Sequence, residues 1–588
     1  MALKQFVKSV ILPAPEVLSE RIEQAKLDLL KPGQVCELEE VVVRGQRYRN
    51  FKNGPQNLSQ LIKQSLKEYP TRECVVYQKE RYSYKEVYEQ AQLAAATLLK
   101  QGLKPGDPIG ICSRNYPEWI VAFIAIFHLG GVAVPMNSWW QERELEYGIT
   151  HSRMKAIFVD GPRLKRIAAK LPQLGIKTYV FREQGALPDG VMHFQDALKV
   201  GYKLPRVPVA KVDNDDDAII MYTSGTTGNP KGVQMTHRSV CQALLAVGHI
   251  EHSLRHALGF LSVLLPKPAQ LLAVPLFHVT GTHAVLLSGL MMGRKTVIMH
   301  KWDPLEALQT IPKEKITHFT GVPTMILEII GHPDIDKYDT SSLIIATGGG
   351  APSPPSMFPK ILAKLPGAQP GQGYGMTETN ALTTACTGIS QVKHPKSCGK
   401  AQPVVDLRVV GDAGQVLGPG ERGELCVRGP TVMKGYLHDE ANTKKTFMED
   451  GWLLTGDVAI IDKEGYVYIV DRAKELIIRG GENISNAEVE AAAYEHDSVA
   501  ECAAFGIPDE RLGEEVALAV FLKPDAPPID ANTLRDFIKE RVAHFKVPKV
   551  IEFIPTQLPR GPTGKIVRRI VKEKYLEMVN GNGIKAKL

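Results

Sequence analysis

Two stretches of this chain carry no Asp, Glu, Lys or Arg over lengths that could span a bilayer: Trp119–Gln141 and Gln270–Gly293. Each must be buried, either in lipid or in protein. A spanning helix needs about 20 mainly apolar residues in a row. His128, Gly130, Gly131 and Pro135 break the first stretch, and Pro275, His278, Thr280 and Gly281 break the second. The sequence therefore predicts buried helix-plus-strand segments of an α/β core, with no transmembrane segment. Apolar strands alternate with helical patterns from Leu58 to about Asp406, as layered α/β structure requires.

From Leu407 to Val470 the pattern changes to short alternating strands: ELCVRG, then EGYVYIV after a Lys-Glu-Gly turn. The C-terminal part reads as a small α+β unit. Ser485 and Glu488 make a capping box that opens a helix. Leu534, Phe537, Ile538 and Val542 make a later helical stripe. Residues 1–55 are polar and irregular, without a strong period. The apolar run at the start is too short for a secretory signal, and a plain N-terminal helix is expected there. The break between large and small units falls near Asp471–Glu475.

Charge and cysteine content exclude several classes. The 71 basic and 64 acidic residues leave +7, spread along the chain. The run KIVRRIVKEK (Lys565–Lys574) reads as a solvated face, so no nucleic-acid partner is expected. The eight cysteines include no C-x-x-C pair, which points away from a disulfide framework or a zinc site and toward a reducing compartment.

Tyr222–Gly232 reads YTSGTTGNPKG. Gly225 and Gly228 let a backbone approach an anion, Thr223, Ser224, Thr226 and Thr227 add hydroxyl donors, and Lys231 adds a mobile charge. The preceding AIIMY (Ala218–Tyr222) predicts a strand. Thr236 predicts the cap of a helix bearing Val240, Leu244 and Val247. The loop is thus expected to join strand to helix as a phosphate cradle. It is not a Walker loop, because Pro230 stands where the second glycine belongs and Gly232 follows the lysine.

Further segments add chemistry in order: PLFHVTG with His278, TGGGAP at Thr347–Pro352, GYGMTE at Gly373–Glu378, LLTGD ending at Asp457, DRAKELIIRGGEN at Asp471–Asn483, and PRGPTGK ending at Lys565. Alone, His278 reads as a core histidine and TGGGAP as a tight turn. Together and in this order the segments closely resemble the adenylate-forming superfamily, specifically its AMP-forming acyl-CoA synthetases. Firefly luciferase and nonribosomal peptide adenylation domains are in the same superfamily. The resemblance covers about residues 55–575.

The resemblance implies an α/β fold: a large N-terminal domain of layered sheets (56–471) with a β-rich subdomain at about 407–470, and a small, mobile C-terminal α+β domain (476–575). A hinge at 472–475 and a tail at 576–588 complete the chain after the 1–55 extension. It implies an enzyme that activates a carboxylic acid with ATP as acyl-AMP, releases pyrophosphate, and passes the acyl group to coenzyme A. Thr223–Lys231, including Ser224, Gly225, Thr226, Thr227 and Gly228, would cradle the β- and γ-phosphates. Gly349, Gly350 and Ala351 would line the adenine, with Tyr374 of Gly373–Gly375 stacking on it. Met376 belongs to the same segment. Thr377 would bind the α-phosphate, and Glu378 would hold Mg²⁺. Asp457 would grip the ribose hydroxyls with Arg472 beside it. Lys474 would be the hinge, Lys565 the mobile catalytic lysine, and His278 the junction of acyl pocket and thiol tunnel. Gly480 and Gly481 would enter to open the thiol path.

Some positions depart from the family pattern. Asn486 replaces a usual proline, KSCGKA (Lys396–Ala401) replaces Gly-Ser-Val-Gly-Arg-Pro, and Ile478 stands where many relatives carry lysine. Lys231, Glu378, Asp457, Arg472 and Lys565 remain, so an active enzyme is expected. Only 23 residues follow Lys565, too few for a fused carrier domain. Gly281, Ala284 and the Gly348–Gly350 turn suggest an open apolar pocket for a medium- or long-chain fatty acid. An aromatic acid such as a cinnamate, a luciferase-like oxygenase and a stand-alone adenylation enzyme are the alternatives. The final Ala586-Lys587-Leu588 resembles the small-basic-leucine address of the peroxisomal import receptor, with a cytoplasmic location otherwise. A monomer or homodimer is expected.

Overall fold

The computed structural model describes residues 15–223, 229–365, 367–411, 413–472, 475–479, 482–509, 511–561 and 564–581. The architecture is mixed α/β, with a large N-terminal domain of sheets and helices and a small C-terminal domain. An eight-stranded sheet runs in the order Gly435–Tyr436, Lys231–Thr236, Asp217–Thr223, Val132–Pro135, Pro108–Cys112, Ala156–Asp160, Lys177–Phe181, Val191–His193. A nine-stranded sheet has the parallel core Gln369–Tyr374, Ile345–Gly349, His318–Gly321, Ala269–Leu272, Lys295–Ile298 and Glu73–Tyr77. One continuous apolar core joins the two, from Ile109 and Phe158 of the first to Leu271 and Phe319 of the second.

The charge-free stretches resolve as expected. Helix Pro117–Leu129 buries every residue except Glu118, and it stops at Gly130, whose φ of 80° supplies the left-handed C-cap. Strand Val132–Pro135 follows directly. In the second stretch, strand Ala269–Leu272 leads through the His278 turn into a π-helix, Thr280–Leu287, and a short α-helix, Ser288–Met291. Wide π turns recur at functional sites. No helix among the described residues is long and apolar enough to cross a membrane. All eight cysteines are buried free thiols.

Two segments differ from expectation. The extension is not irregular: helix Pro15–Asp28 packs on helix His237–Leu258, and Leu38–Val43 pairs with Gln46–Phe51 as a hairpin. Phe51 is 1% exposed, Arg44 Nη1 donates to the Met433 carbonyl at 2.8 Å, and Arg49 pairs with Asp406 at 2.6 Å. A few well-placed anchors thus hold a polar segment whose sequence shows no period. The second difference is at the glycine loop. It joins two antiparallel strands, with Thr223 opposite Lys231, and the helix capped by Thr236 begins only after the second strand. The segment connects strand to strand rather than strand to helix.

Four antiparallel strands, Asp406–Val410, Arg422–Arg428, Leu453–Ile461 and Val467–Arg472, form a separate sheet. The C-terminal domain is a five-stranded sheet built on the long pair Val499–Asp509 and Gly513–Leu522. Helices Asn486–Tyr494 and Ala531–Lys539 cover it through Val489, Leu534 and Ile538. Ser485 caps the first of these by accepting from the Glu488 N–H at 3.3 Å.

Candidate active site

Three groups of side chains meet where the parallel strands of the nine-stranded sheet end. The first is set by glycine. Strands Ile345–Gly349 and Gln369–Tyr374 lie side by side with Gly349 opposite Gly373. Gly350 follows at φ +78°, where a Cβ would stand 3.1 Å from Lys565 Cε and 3.4 Å from its Nζ. The missing side chain makes room for a lysine from the C-terminal domain. Ala351 completes the turn, half-buried.

Lys565 also faces His278. The His278 Nδ1 accepts from the Thr280 N–H at 3.3 Å and lies 3.2 Å from the Thr280 hydroxyl. With Nδ1 accepting, the proton of the neutral ring sits on Nε2. Burial pushes the His278 pKa down to about 3, with the charges of Lys565 and His283 adding to it. His278 is therefore a neutral donor across the physiological range, not a proton acceptor. His283, in the π-helix that follows, is buried, and burial takes it to about 4, opposed by Asn380. Asn380, whose Nδ2 donates to the Thr431 carbonyl at 2.8 Å, lies beside it.

The second group is built on Glu378, in the turn Thr377–Thr379. Thr377 and Glu378 are buried at 8% and 7% exposure. Tyr436 Oη donates to Glu378 Oε1 at 3.0 Å, and Lys231 Nζ lies 4.8 Å from the centroid of the same Tyr436 ring. Tyr436 reaches this place because its two-residue strand pairs with Val233 and Gln234. Burial and then Glu378 hold its hydroxyl protonated. One ring thus links the lysine of the phosphate loop to the expected metal carboxylate. Sequence reasoning missed Tyr436, since only the pairing of Gly435–Tyr436 with the strand after the loop reveals it.

The third group is Tyr374 and Asp457. Tyr374 Oη donates to Asp457 Oδ2 at 2.6 Å, and Asp457 is 3% exposed in strand Leu453–Ile461. Burial and Asp457 raise the Tyr374 pKa, so the phenol stays a donor. Gly375 joins the second and third groups. A Cβ there would stand 1.6 Å from the Ala381 carbonyl oxygen, so no other residue fits. Met376 follows, its N–H donating to Thr379 Oγ1 at 3.1 Å. Arg472 lies opposite Asp457 in the strand register, but its side chain is outside the described residues. So are Ser224, Gly225, Thr226, Thr227, Gly228, Lys474, Gly480, Gly481 and the terminal Ala586–Leu588.

One pocket expectation changes. Gly281 does not open space for an acyl chain. A Cβ there would stand 2.1 Å from the Pro275 carbonyl oxygen, so the glycine allows the π-helix to press on the His278 turn.

The site fits one divalent cation held jointly with phosphate. Mg²⁺ keeps several waters and takes only one or two carboxylates beside substrate phosphates. Glu378 is one such buried carboxylate, and no group of three or more ligands occurs among the described residues.

Comparison with known proteins agrees with this arrangement. Residues 62–437 match the family model described as AMP-binding enzyme, and residues 488–565 match that of the AMP-binding enzyme C-terminal domain. A long-chain-fatty-acid–CoA ligase of Bacillus subtilis is 31% identical over 88% of this chain and 95% of its own length. 4-Coumarate–CoA ligase 2 of Nicotiana tabacum is 31% identical over 87% of this chain and 93% of its own. Among solved structures, an anthranilate CoA ligase in complex with anthranoyl-AMP superposes with a TM-score of 0.80 at 25% identity. It covers 89% of this chain and 98% of that one.

Proposed function

We propose that this chain, which belongs to the AMP-binding enzyme family, is an ATP-dependent carboxylate–CoA ligase acting on a medium- or long-chain fatty acid. The observation that carries the reading is the approach of Lys565 to Gly350, at the end of the strand whose neighbour leads through Tyr374 to Glu378. In the first half-reaction a carboxylate oxygen attacks the α-phosphorus of ATP, the bond to the β-phosphate oxygen breaks, and acyl-AMP and pyrophosphate form. Negative charge spreads over phosphoryl oxygens as this happens. The ammonium of Lys565, the Thr377 hydroxyl and Lys231 are the donors that offset it. Bound at Glu378, Mg²⁺ would supply further charge neutralisation on the phosphates. Tyr436 orients that carboxylate, and the Tyr374–Asp457 pair presents oxygen acceptors suited to ribose hydroxyls.

In the second half-reaction a thiolate attacks the acyl carbonyl and AMP leaves. We assign the coenzyme A nucleotide to the surface carried by the loop next to the His278 segment. Asn115 bonds the Val274 carbonyl at 2.9 Å and the Leu276 N–H at 3.0 Å, tying the His278 segment to the loop that carries Arg114. The Arg114 guanidinium lies 5.6 Å from the ring of Trp139, which is 43% exposed, and among the described residues it has no ion-pair partner. A half-buried guanidinium beside an exposed indole favours a phosphorylated adenosine.

Relatives with fatty and with aromatic acids in their names support both acyl classes. The experiment is a panel of octanoate, palmitate and 4-coumarate in a pyrophosphate-release assay, followed by coenzyme A consumption. Fatty acids are expected to lead. A preference for 4-coumarate would move the reading to the aromatic branch, and pyrophosphate without thiol consumption would sink the ligase itself. We also propose peroxisomal import through Ala586-Lys587-Leu588. A reporter carrying the last twelve residues that stays diffuse would refute it.

A further inference from the structure

The loop that delivers Lys565 touches the large domain at a second place. Its ends are held together by Gly561 N–H to the Lys565 carbonyl at 2.8 Å and Val567 N–H to the Pro559 carbonyl at 2.9 Å. On its outer side Gly564, at φ +82°, lies close enough to helix Pro323–Ile330 that a Cβ would stand 3.3 Å from Val322 Cγ2. Arg560 braces the loop from within: Nη1 donates to the Gly564 carbonyl at 2.7 Å, and Nη2 pairs with the buried Glu501 at 2.7 Å. The same Nη2 lies 3.7 Å from Glu328 Oε1, on the second turn of that large-domain helix. Among the described residues this is the one ion pair that spans the two domains.

Glu328 is well placed to receive it. Trp302 Nε1 donates to its other oxygen, and the Trp302 ring stacks on Phe319 at 5.6 Å. Burial raises the Glu328 pKa, which the Trp302 bond and the Arg560 charge oppose. A partly buried carboxylate held open toward the loop by a tryptophan has little reason to be there unless a cation arrives. We propose that Glu328 is a positioning residue for the first half-reaction: it captures Arg560 and so holds Lys565 over Gly350, and it releases both for thiol transfer. The inference rests on the ligase reading, but it assigns a task to a residue outside the nucleotide site. Its effect reaches the chemistry through the occupancy of the docked domain.

The test separates the two half-reactions. Glu328→Gln keeps the shape and a possible bond to Trp302 while removing the charge, and Glu328→Lys reverses it. Adenylation, read as single-turnover pyrophosphate release, is expected to fall about fivefold in Glu328→Gln and further in Glu328→Lys. KM for ATP should stay unchanged. Thioester formation from supplied acyl adenylate and coenzyme A should stay at the wild-type rate or rise. High salt should slow wild-type adenylation toward the Glu328→Gln rate and leave the variant unaffected. In a double-mutant cycle, Arg560→Gln with Glu328→Gln should be no slower than Arg560→Gln alone. Equal loss in both half-reactions, or no loss in either, would overturn the proposal. If the wild type itself formed no acyl adenylate, the ligase reading would fail, which is a distinct outcome.

Discussion

Glu378, Tyr436 and Lys231 form one chain of contacts, and the first two make different predictions. Glu378→Gln should slow pyrophosphate release at least about a hundredfold, the usual cost of losing a preorganised electrostatic group. Its unfolding midpoint should match the wild type, and an unchanged rate at limiting Mg²⁺ would remove the metal role. Tyr436→Phe keeps the ring under Lys231 and deletes only the hydroxyl bonded to Glu378. Adenylation should then require about tenfold more Mg²⁺ at unchanged KM for ATP, since hydrogen bonds to charged groups are worth roughly 1.5–3 kcal/mol. A superimposable Mg²⁺ titration would show that Tyr436 does not orient the carboxylate. At the proposed coenzyme A surface, Arg114→Ala should raise KM for coenzyme A while leaving KM for pantetheine, which lacks the nucleotide, where it was. Lys231, Glu378 and Lys565 were legible in the sequence because each sits in a short motif of small and polar residues. Tyr436 and Glu328 were not. Their partners are far along the chain, and neither residue's local sequence differs from an ordinary half-buried position.

At the scale of elements, local pattern located strands such as Ala218–Tyr222 and the helices capped by Thr236 and Ser485, and the two charge-free stretches forecast the buried α/β layers. It failed where a segment's role depends on a distant surface. The strand Lys231–Thr236 is short and its start lies inside the glycine loop, so loop and strand read as one connection. The N-terminal helix and hairpin have polar sequences because they lie over the outside of a finished domain and bury only a few anchors such as Phe51. Gly281 was read as space and proved to be contact. That reading can be tested, because Gly281→Ala should destabilise the large domain by about 1–3 kcal/mol, as overpacking does. It should not simply shift preference toward shorter acids. An unchanged denaturant midpoint with an altered chain-length profile would restore Gly281 to the acyl pocket.

At the scale of the whole molecule, acid should act through buried histidines. Burial pushes His237 and His283 to about 4, and His278 and His318 to about 3. Their unfolded pKa is about 6.5, so the folded state holds them neutral where the unfolded chain would take up protons. Their contribution to stability is complete above pH 6.5 or so and declines as pH falls toward the folded values. Near pH 5, above the range where carboxylates dominate, unfolding of the large domain should take up about four protons from this set. Calorimetric midpoints measured against pH between 6.5 and 4.5 give that number, and an uptake below one proton would contradict the burial described. Lys565 belongs to the C-terminal domain yet lies against Gly350 of the large one, and the thiol must later reach the carbonyl beside it. Lys565 is therefore required for one half-reaction and must leave for the other. The most direct measurement is rapid quench of Lys565→Ala in both. Adenylate formation should fall at least about 10²–10³-fold, the cost of losing a preorganised charge donor. Thioester formation from supplied acyl adenylate should remain near the wild-type rate. Equal slowing of both steps would mean a static site, and the alternation of the C-terminal domain would be wrong for this chain.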